Sequence, residues 1–151
     1  GKWSRPDYNT VTATWCHNVT RDLPIQVNDE SVELSLLYID DVIEQFVHHL
    51  SEDRKSGLAY GEVSPQYVKT LGEIKELLFA FKESRKELLI PRVGRGFERA
   101  LYATYLSFFP TDKFSYDLHG YKHERGKFYE FVKPLDSGQF FISTTAPGVT
   151  R

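Results

Sequence analysis

The run Val32-Glu33-Leu34-Ser35-Leu36-Leu37-Tyr38-Ile39-Asp40-Asp41-Val42 limits the possible folds more than any other stretch of this sequence. Val32, Leu34, Leu36 and Tyr38 alternate onto one face of a strand, and Leu37 and Ile39 make the end of the other face apolar. A strand that is apolar on both sides is expected to be covered on both, as in an α/β sheet. Asp41, with Glu44 three residues on, reads as a helix cap with its reciprocal partner. Ile43, Phe46, Val47 and Leu50 then recur at i, i+3, i+4 and i+7, which is one face of a helix. The spacing predicts a strand leading through an acidic cap into an amphipathic helix, the βα unit of an α/β protein. Any α/β protein holds such units, so function has to come from the flanks.

Before that run, Asp7 reads as the cap of a helix from about Tyr8, with Tyr8, Val11, Trp15 and Val19 as its apolar stripe. Pro24-Ile25-Gln26-Val27 reads as a short strand and Asn28-Asp29-Glu30 as a turn. After the run come a polar loop over 51–57, a short strand over 59–63 and another at Tyr67-Val68-Lys69. Thr70 with Glu73 is a second capping box, and Leu71, Ile74, Leu77, Leu78 and Phe81 mark a helix to about Arg85. Residues 88–96 form a connection, and Phe97, Leu101, Tyr105 and Phe108 place a third strong helix before Pro110.

Beyond Pro110 the helical spacing stops. Aromatic and β-branched residues alternate with polar ones over 114–121, 127–133 and 139–145, with turns at Glu124-Arg125-Gly126, 134–138 and Pro147-Gly148. This is the opening of an all-β sandwich or barrel, which three strands cannot close. A domain boundary is therefore expected near 110, dividing 1–110 from a β portion, 111–151, that is cut short at Arg151. Methionine is absent even at position 1, so the chain is expected to be trimmed or part of something longer.

Composition narrows the function classes. A net charge of -2 and a pI of about 6.2 give polyanion binding no support, so a nucleic-acid partner is not expected. No apolar run has membrane-spanning length and no signal peptide is recognisable, so no membrane partner is expected. The single cysteine, Cys16, cannot form an internal disulfide, which fits a reducing, cytoplasmic setting.

Catalytic machinery is not legible. His17, His48, His49, His119 and His123 do not share a metal-ligand spacing, so no metal site is expected within the chain. Cys16 lies mid-helix without a facing base and reads as structural or merely exposed. Gly94-Arg95-Gly96 follows no expected strand and lacks a third glycine at the phosphate-loop spacing. Lys2, Trp3 and Arg5, in a loop ahead of a helix, could hold an anionic, stackable ligand such as a nucleotide diphosphate.

A resemblance adds to this. Gly1-Lys2-Trp3, the helix from about Tyr8, Pro24-Ile25-Gln26-Val27 and Tyr38-Ile39-Asp40-Asp41-Val42 resemble the substrate-binding, C-terminal half of an extended short-chain dehydrogenase/reductase acting on nucleotide sugars. With the run from Gly1 to Asn9, Gln26-Val27-Asn28-Asp29, Thr70-Leu71-Gly72-Glu73-Ile74 and Leu101-Tyr102-Ala103-Thr104-Tyr105-Leu106-Ser107, the whole chain resembles the bifunctional capsule and O-antigen enzymes that join such a reductase to a C-terminal cupin. Arg125-Gly126 with Phe128 and Glu130, and Gln139 followed by Arg151, resemble the opening of sugar-nucleotide epimerase cupins. Where many reductases of this kind carry Arg-Asp, this chain has Leu34-Ser35, so the phosphate-binding role passes to Lys2 and Arg5.

The resemblance implies an α/β reductase half followed by the first strands of an all-β cupin. It implies C3 epimerisation and C4 reduction of a UDP-2-acetamido-2,6-dideoxy-4-keto-hexose, on the way to N-acetyl-L-fucosamine. It implies Lys2, Trp3, Arg5, Asn9, Arg125, Glu130, Gln139 and Arg151 as substrate-binding residues, with no catalytic residue in this chain. NADPH would bind a half preceding Gly1, and a cupin metal would lie beyond Arg151. The piece alone is expected to be inactive and, with its strands unclosed, to form a homodimer or larger assembly. Two other readings stay open: another extended sugar-nucleotide epimerase or dehydratase with an unrelated β tail, and a non-catalytic interaction module.

Overall fold

The computed structural model describes residues 1–51, 57, 60–135 and 138–149. Its centre is three helices, each made by an apolar stripe. α1 (Val11–Thr20) contributes Trp15, Cys16 and Val19; α3 (Leu71–Lys86) contributes Ile74, Leu78 and Phe81; α4 (Gly96–Ser107) contributes Leu101 and Tyr105. These side chains form one buried cluster, and each helix packs on the other two. Two of its rings meet partly buried neighbours edge-on, Phe81 5.0 Å from Tyr102 and Tyr105 5.1 Å from Phe109 between ring centres.

The expected capping box starts α3. Thr70 Oγ1 accepts from the Glu73 amide at 3.1 Å, and the Glu73 carboxylate accepts from the Thr70 amide at 2.8 Å. α1 starts three residues later than expected. Thr10 is its cap, accepting from the Ala13 amide, while Asp7 sits in a left-handed conformation (φ 57) outside the helix.

The opening run folds differently from its reading. β1 is only Glu33–Leu36, and it pairs antiparallel with β2 (Tyr67–Thr70), Glu33 opposite Thr70 and Leu36 opposite Tyr67. The pair is a two-stranded sheet with one side on the helices. Leu34 and Leu36 touch the core, while Val32 and Leu37 remain 44% and 46% exposed. Helix α2 (Ile39–Leu50) begins at Ile39, with Tyr38 in the cap position and no side-chain cap bond. Asp41 is therefore not the cap; it and Asp40 fall in the first turn, where a carboxylate still suits the helix dipole. The stripe of Ile43, Phe46, Val47 and Leu50 is exposed. Residues 24–27 form no strand, although Ile25 and Val27 pack on the core. Of the strand expected over 59–63, Ala59 lies outside the described residues and 60–63 have no regular structure; most of the loop over 51–57 also lies outside them.

The C-terminal part is β as expected. β4 (Gly120–His123), β5 (Gly126–Pro134) and β6 (Phe140–Thr145) form antiparallel pairs on either side of β5, with a register shift between Glu130 and Val132. β4 is shorter than the stretch over 114–121 suggested. A two-residue strand, β3 (Leu89–Ile90), joins this sheet by pairing parallel with β5 at Lys133 and Pro134. The Arg85 guanidinium donates to the Phe114 carbonyl at 2.7 Å and lies 4.4 Å from the centre of the Phe109 ring. The contact with Phe114 fastens the residues after Pro110 to α3. The fold is mixed α/β.

Candidate functional site

The N-terminal loop reaches the helical body through Lys2. Trp3, Asp7 and Asn9 all have positive φ (67, 57 and 51), so the loop doubles back on itself; the Ser4 amide donates to the Gly1 carbonyl at 3.1 Å. This brings the Lys2 ammonium to 2.8 Å from Asp40 Oδ2 and 3.2 Å from the Tyr38 hydroxyl. The ammonium also lies over two rings, 4.3 Å from the centre of Trp3 and 5.2 Å from that of Tyr38.

Beside this contact is a cleft of about 260 Å³. Lys2, Ser4 and Thr10 form one wall, residues 36–39 a second, and Phe97, Ala100 and Thr104 of α4 a third. Its lining mixes apolar side chains, Leu36, Val42, Phe97 and Leu101 among them, with the polar groups of Lys2, Ser4, Thr10, Tyr38 and Thr104. Tyr38 is buried, and that burial pushes its phenol above the ordinary value despite the Lys2 hydrogen bond. The phenol keeps its proton at neutral pH. Hydrogen bonding from Lys2 holds the Asp40 carboxyl below its usual range, with the Arg99 charge a smaller contribution. Burial opposes the Lys2 charge, but the bonds to Asp40 and Tyr38 overcome it and raise its pKa. The arrangement suits binding of a ligand with an apolar or stackable body and a polar end. It contains no activated nucleophile.

The sequence candidates fall into two groups. Lys2 lines the cleft. Trp3 is 70% exposed beside it, and Arg5 and Asn9 are exposed and do not line it. On the β sheet, Arg125 sits in the exposed turn between β4 and β5, where its carbonyl accepts from the Ala146 amide at 2.9 Å. Glu130 is half-buried on β5, 3.7 Å from the Lys133 ammonium. Gln139 is exposed just before β6, and Arg151 lies outside the described residues. None of the β-sheet candidates lines the cleft.

Sequence reading missed Tyr38, Phe97 and Arg99. Tyr38 was assigned to a strand stripe, and the Arg99 guanidinium, 5.7 Å from the centre of the Tyr38 ring, carries no local signal. The structure also places a strand ahead of Gly94-Arg95-Gly96, since β3 ends at Ile90 and α4 begins at Gly96 with φ 77. The third glycine position of a dinucleotide turn is still occupied by Arg99. Cys16 is wholly buried, so it is structural.

No protein-family model matches the chain. A Pseudomonas aeruginosa protein described as UDP-2-acetamido-2,6-beta-L-arabino-hexul-4-ose reductase is 51% identical over all 151 residues, which cover 40% of its length. The crystal structure of the capsular polysaccharide assembling protein CapF from Staphylococcus aureus superposes with a TM-score of 0.90 at 40% identity, over 100% of this chain and 41% of that one. A structure of CapF with the inhibitor 3-isopropenyl-tropolone gives 0.88 at 40% identity, over 100% and 44%. Spanning 40% of the curated relative's length, this chain is a partial homologue of CapF and of the UDP-sugar reductase, and its fold is that of the matching part of the capsular polysaccharide protein.

Proposed function

We propose that this chain is the substrate-binding part of a UDP-sugar reductase of capsule or O-antigen synthesis, joined to the first strands of a cupin epimerase. The observation that carries the reading is the 51% identity to the reductase over all 151 residues, the helical and the β parts together. In this reading residues 1–110 belong to the reductase and 111–151 to the cupin. The parent reaction is C3 epimerisation and C4 reduction of a UDP-2-acetamido-2,6-dideoxy-4-keto-hexose, in the cytoplasm, towards N-acetyl-L-fucosamine.

The chain's own residues supply binding and orientation. The cleft takes one end of the UDP-amino-sugar, with Lys2 and Trp3 at its edge and Arg5 and Asn9 on the adjoining loop. Arg125, Glu130, Gln139 and Arg151 belong to the epimerase pocket. The parent reductase uses NADPH, but the residues described here do not fit a nicotinamide dinucleotide, because Arg99 stands where the third glycine of its turn is required. Nor do they fit a metal: among the described residues no three His, Cys, Asp or Glu side chains converge. No hydride, proton or metal-assisted step is therefore assigned to this chain.

The test is a chimera in which these 151 residues replace the matching stretch of the Pseudomonas aeruginosa protein. A chimera that reduces the keto sugar nucleotide supports the reading, and a folded chimera that fails to bind it overturns the reading. The chain alone, given the keto sugar nucleotide and NADPH, is expected to leave the NADPH unoxidised.

A further inference from the structure

We infer that the C-terminal end of α3 is a two-point joint that carries the sheet of β4, β5 and β6 at a fixed position on the helical body, with Arg85 clamping one point and β3 seaming the other. The inference concerns the fold and does not depend on the reading of the cleft.

The crossing from helices to sheet would by itself be a hinge. Residues 115–119 have no regular structure and are mostly exposed. Two parts of a chain joined by such a segment move against one another unless other contacts hold them. Here other contacts are present, and they converge on one place.

The first point is Arg85, in the last turn of α3. Its guanidinium has no carboxylate partner among the described residues. Its donors go to the carbonyls of Phe114 at 2.7 Å and Lys113 at 3.4 Å. It also lies 4.4 Å from the centre of the Phe109 ring and 5.2 Å from that of Tyr116. Phe109 precedes Pro110 and Tyr116 follows it, so one side chain touches the crossing on both sides. Asp22, just past α1, adds a second hold. Its carboxylate accepts from Lys82 of α3 at 2.7 Å and from Lys113 of the crossing at 3.2 Å. Arg21 donates to the Phe108 carbonyl at 2.8 Å, which fixes the end of α4 from which the crossing departs.

The second point follows directly in sequence. Leu88, with φ 55, turns the chain out of α3, and its carbonyl accepts from the Lys133 amide at 2.9 Å. β3 then pairs with Lys133 and Pro134. The sheet is therefore held before β4 begins and again where β5 ends. One attachment leaves a rotation free, and two separated attachments remove it. Arg125, Glu130 and Gln139 keep a set distance from the cleft, and neither part swings to meet the other.

The test is electron–electron double resonance between spin labels at E76C on α3 and K122C on β4, in the 151-residue chain. Both positions are exposed, and the buried native Cys16 stays unlabelled. Dilution with unlabelled chain removes distances between copies. The parent is expected to give one narrow distance distribution. R85Q removes the clamp's charge and its planar fork. D22N releases Lys113 and keeps a residue type that tolerates the φ of 61 found there. Each is expected to lose the narrow peak and give a broad distribution, with helical circular dichroism unchanged. Broadening in either folded variant supports the joint, and if R85Q loses its helices, D22N decides alone. A broad distribution in the parent overturns the inference. So does a distribution that is as narrow in every folded variant as in the parent.

Discussion

The Lys2 ammonium and the Asp40 carboxylate, 38 residues apart in sequence, meet at 2.8 Å and pin the N-terminal loop to the first turn of α2. The loop contains three non-glycine residues at positive φ, a conformation that costs energy and needs an anchor. Lys2 is the more enclosed partner, with 16% of its side chain exposed against 45% for Asp40.

Removing the carboxylate charge with D40N is expected to cost about 0.5 kcal/mol, because the Asp40 side is open to solvent and screened. The pH dependence is more specific. The folded Asp40 pKa lies below its ordinary value of 3.8, so its contribution is present above that value and is lost as pH falls through the lowered folded pKa. The folded Lys2 pKa lies above 10.5, so its contribution is present below 10.5 and is lost as pH rises through the raised value. Thermal midpoints measured across both limbs should fall less steeply in D40N than in the parent chain. Identical slopes would show that the pair does not form in solution.

Cys16 is expected to be chemically silent in the folded chain. It is fully buried in α1, and burial raises its thiol to about 12. Reaction with a chromogenic disulfide at neutral pH should proceed only as fast as the chain opens, and should become immediate in denaturant. Fast reaction in buffer would mean that α1 is not packed as described.

Phe81 is the aromatic centre of the core, 1% exposed and within 5.8 Å of the Tyr105 ring centre. F81A removes a ring that three helices surround and is expected to cost about 3–5 kcal/mol, enough to unfold much of a marginal domain. Urea denaturation monitored by helical circular dichroism measures this directly.

Legibility followed the range of the interactions. The Thr70–Glu73 box was readable because both partners lie within one turn and each satisfies the other's backbone. The stripes of α3 and α4 were readable for the same reason, since spacing alone decides which face is apolar. The stretch from Val32 to Val42 was only half readable. Its alternation is real, but whether a second sheet face gets covered depends on what lies opposite, and β1 found only β2. The cleft was least legible. Lys2 was singled out from its loop, yet its partners Tyr38 and Asp40 read as strand end and scaffold, and Arg99 is brought to them from another helix. No periodicity encodes such a meeting.

Gly126 is expected to tolerate no side chain. Its φ is 146, a region L residues rarely adopt, and a Cβ there would run into the carbonyl oxygen of Thr144 on β6. Both effects act on the turn that joins β4 to β5. G126A should cost about 2 kcal/mol or more and should remove amide protection in β4, β5 and β6 before it affects the helices. Hydrogen exchange separates the two regions; uniform loss of protection would mean that the sheet and helices unfold as one unit.

Self-association is expected from the sheet itself. β6 pairs with β5 on one side, and no strand is found on its other side among the described residues. The strand also presents Phe140, Phe141 and Ile142 at 67%, 49% and 49% exposure, and Tyr121 on β4 is 78% exposed. An unprotected edge next to exposed apolar side chains favours strand pairing between copies, and nearby charge is the usual device against it. Sedimentation of the chain should therefore show mass rising with concentration, and I142K should shift the distribution towards monomer without lowering helical content. A strictly monomeric profile at high concentration would overturn the expectation. Association that persists unchanged in I142K would move the contact away from β6, with the exposed face of α2, carrying Phe46 and Leu50, as the next surface to alter.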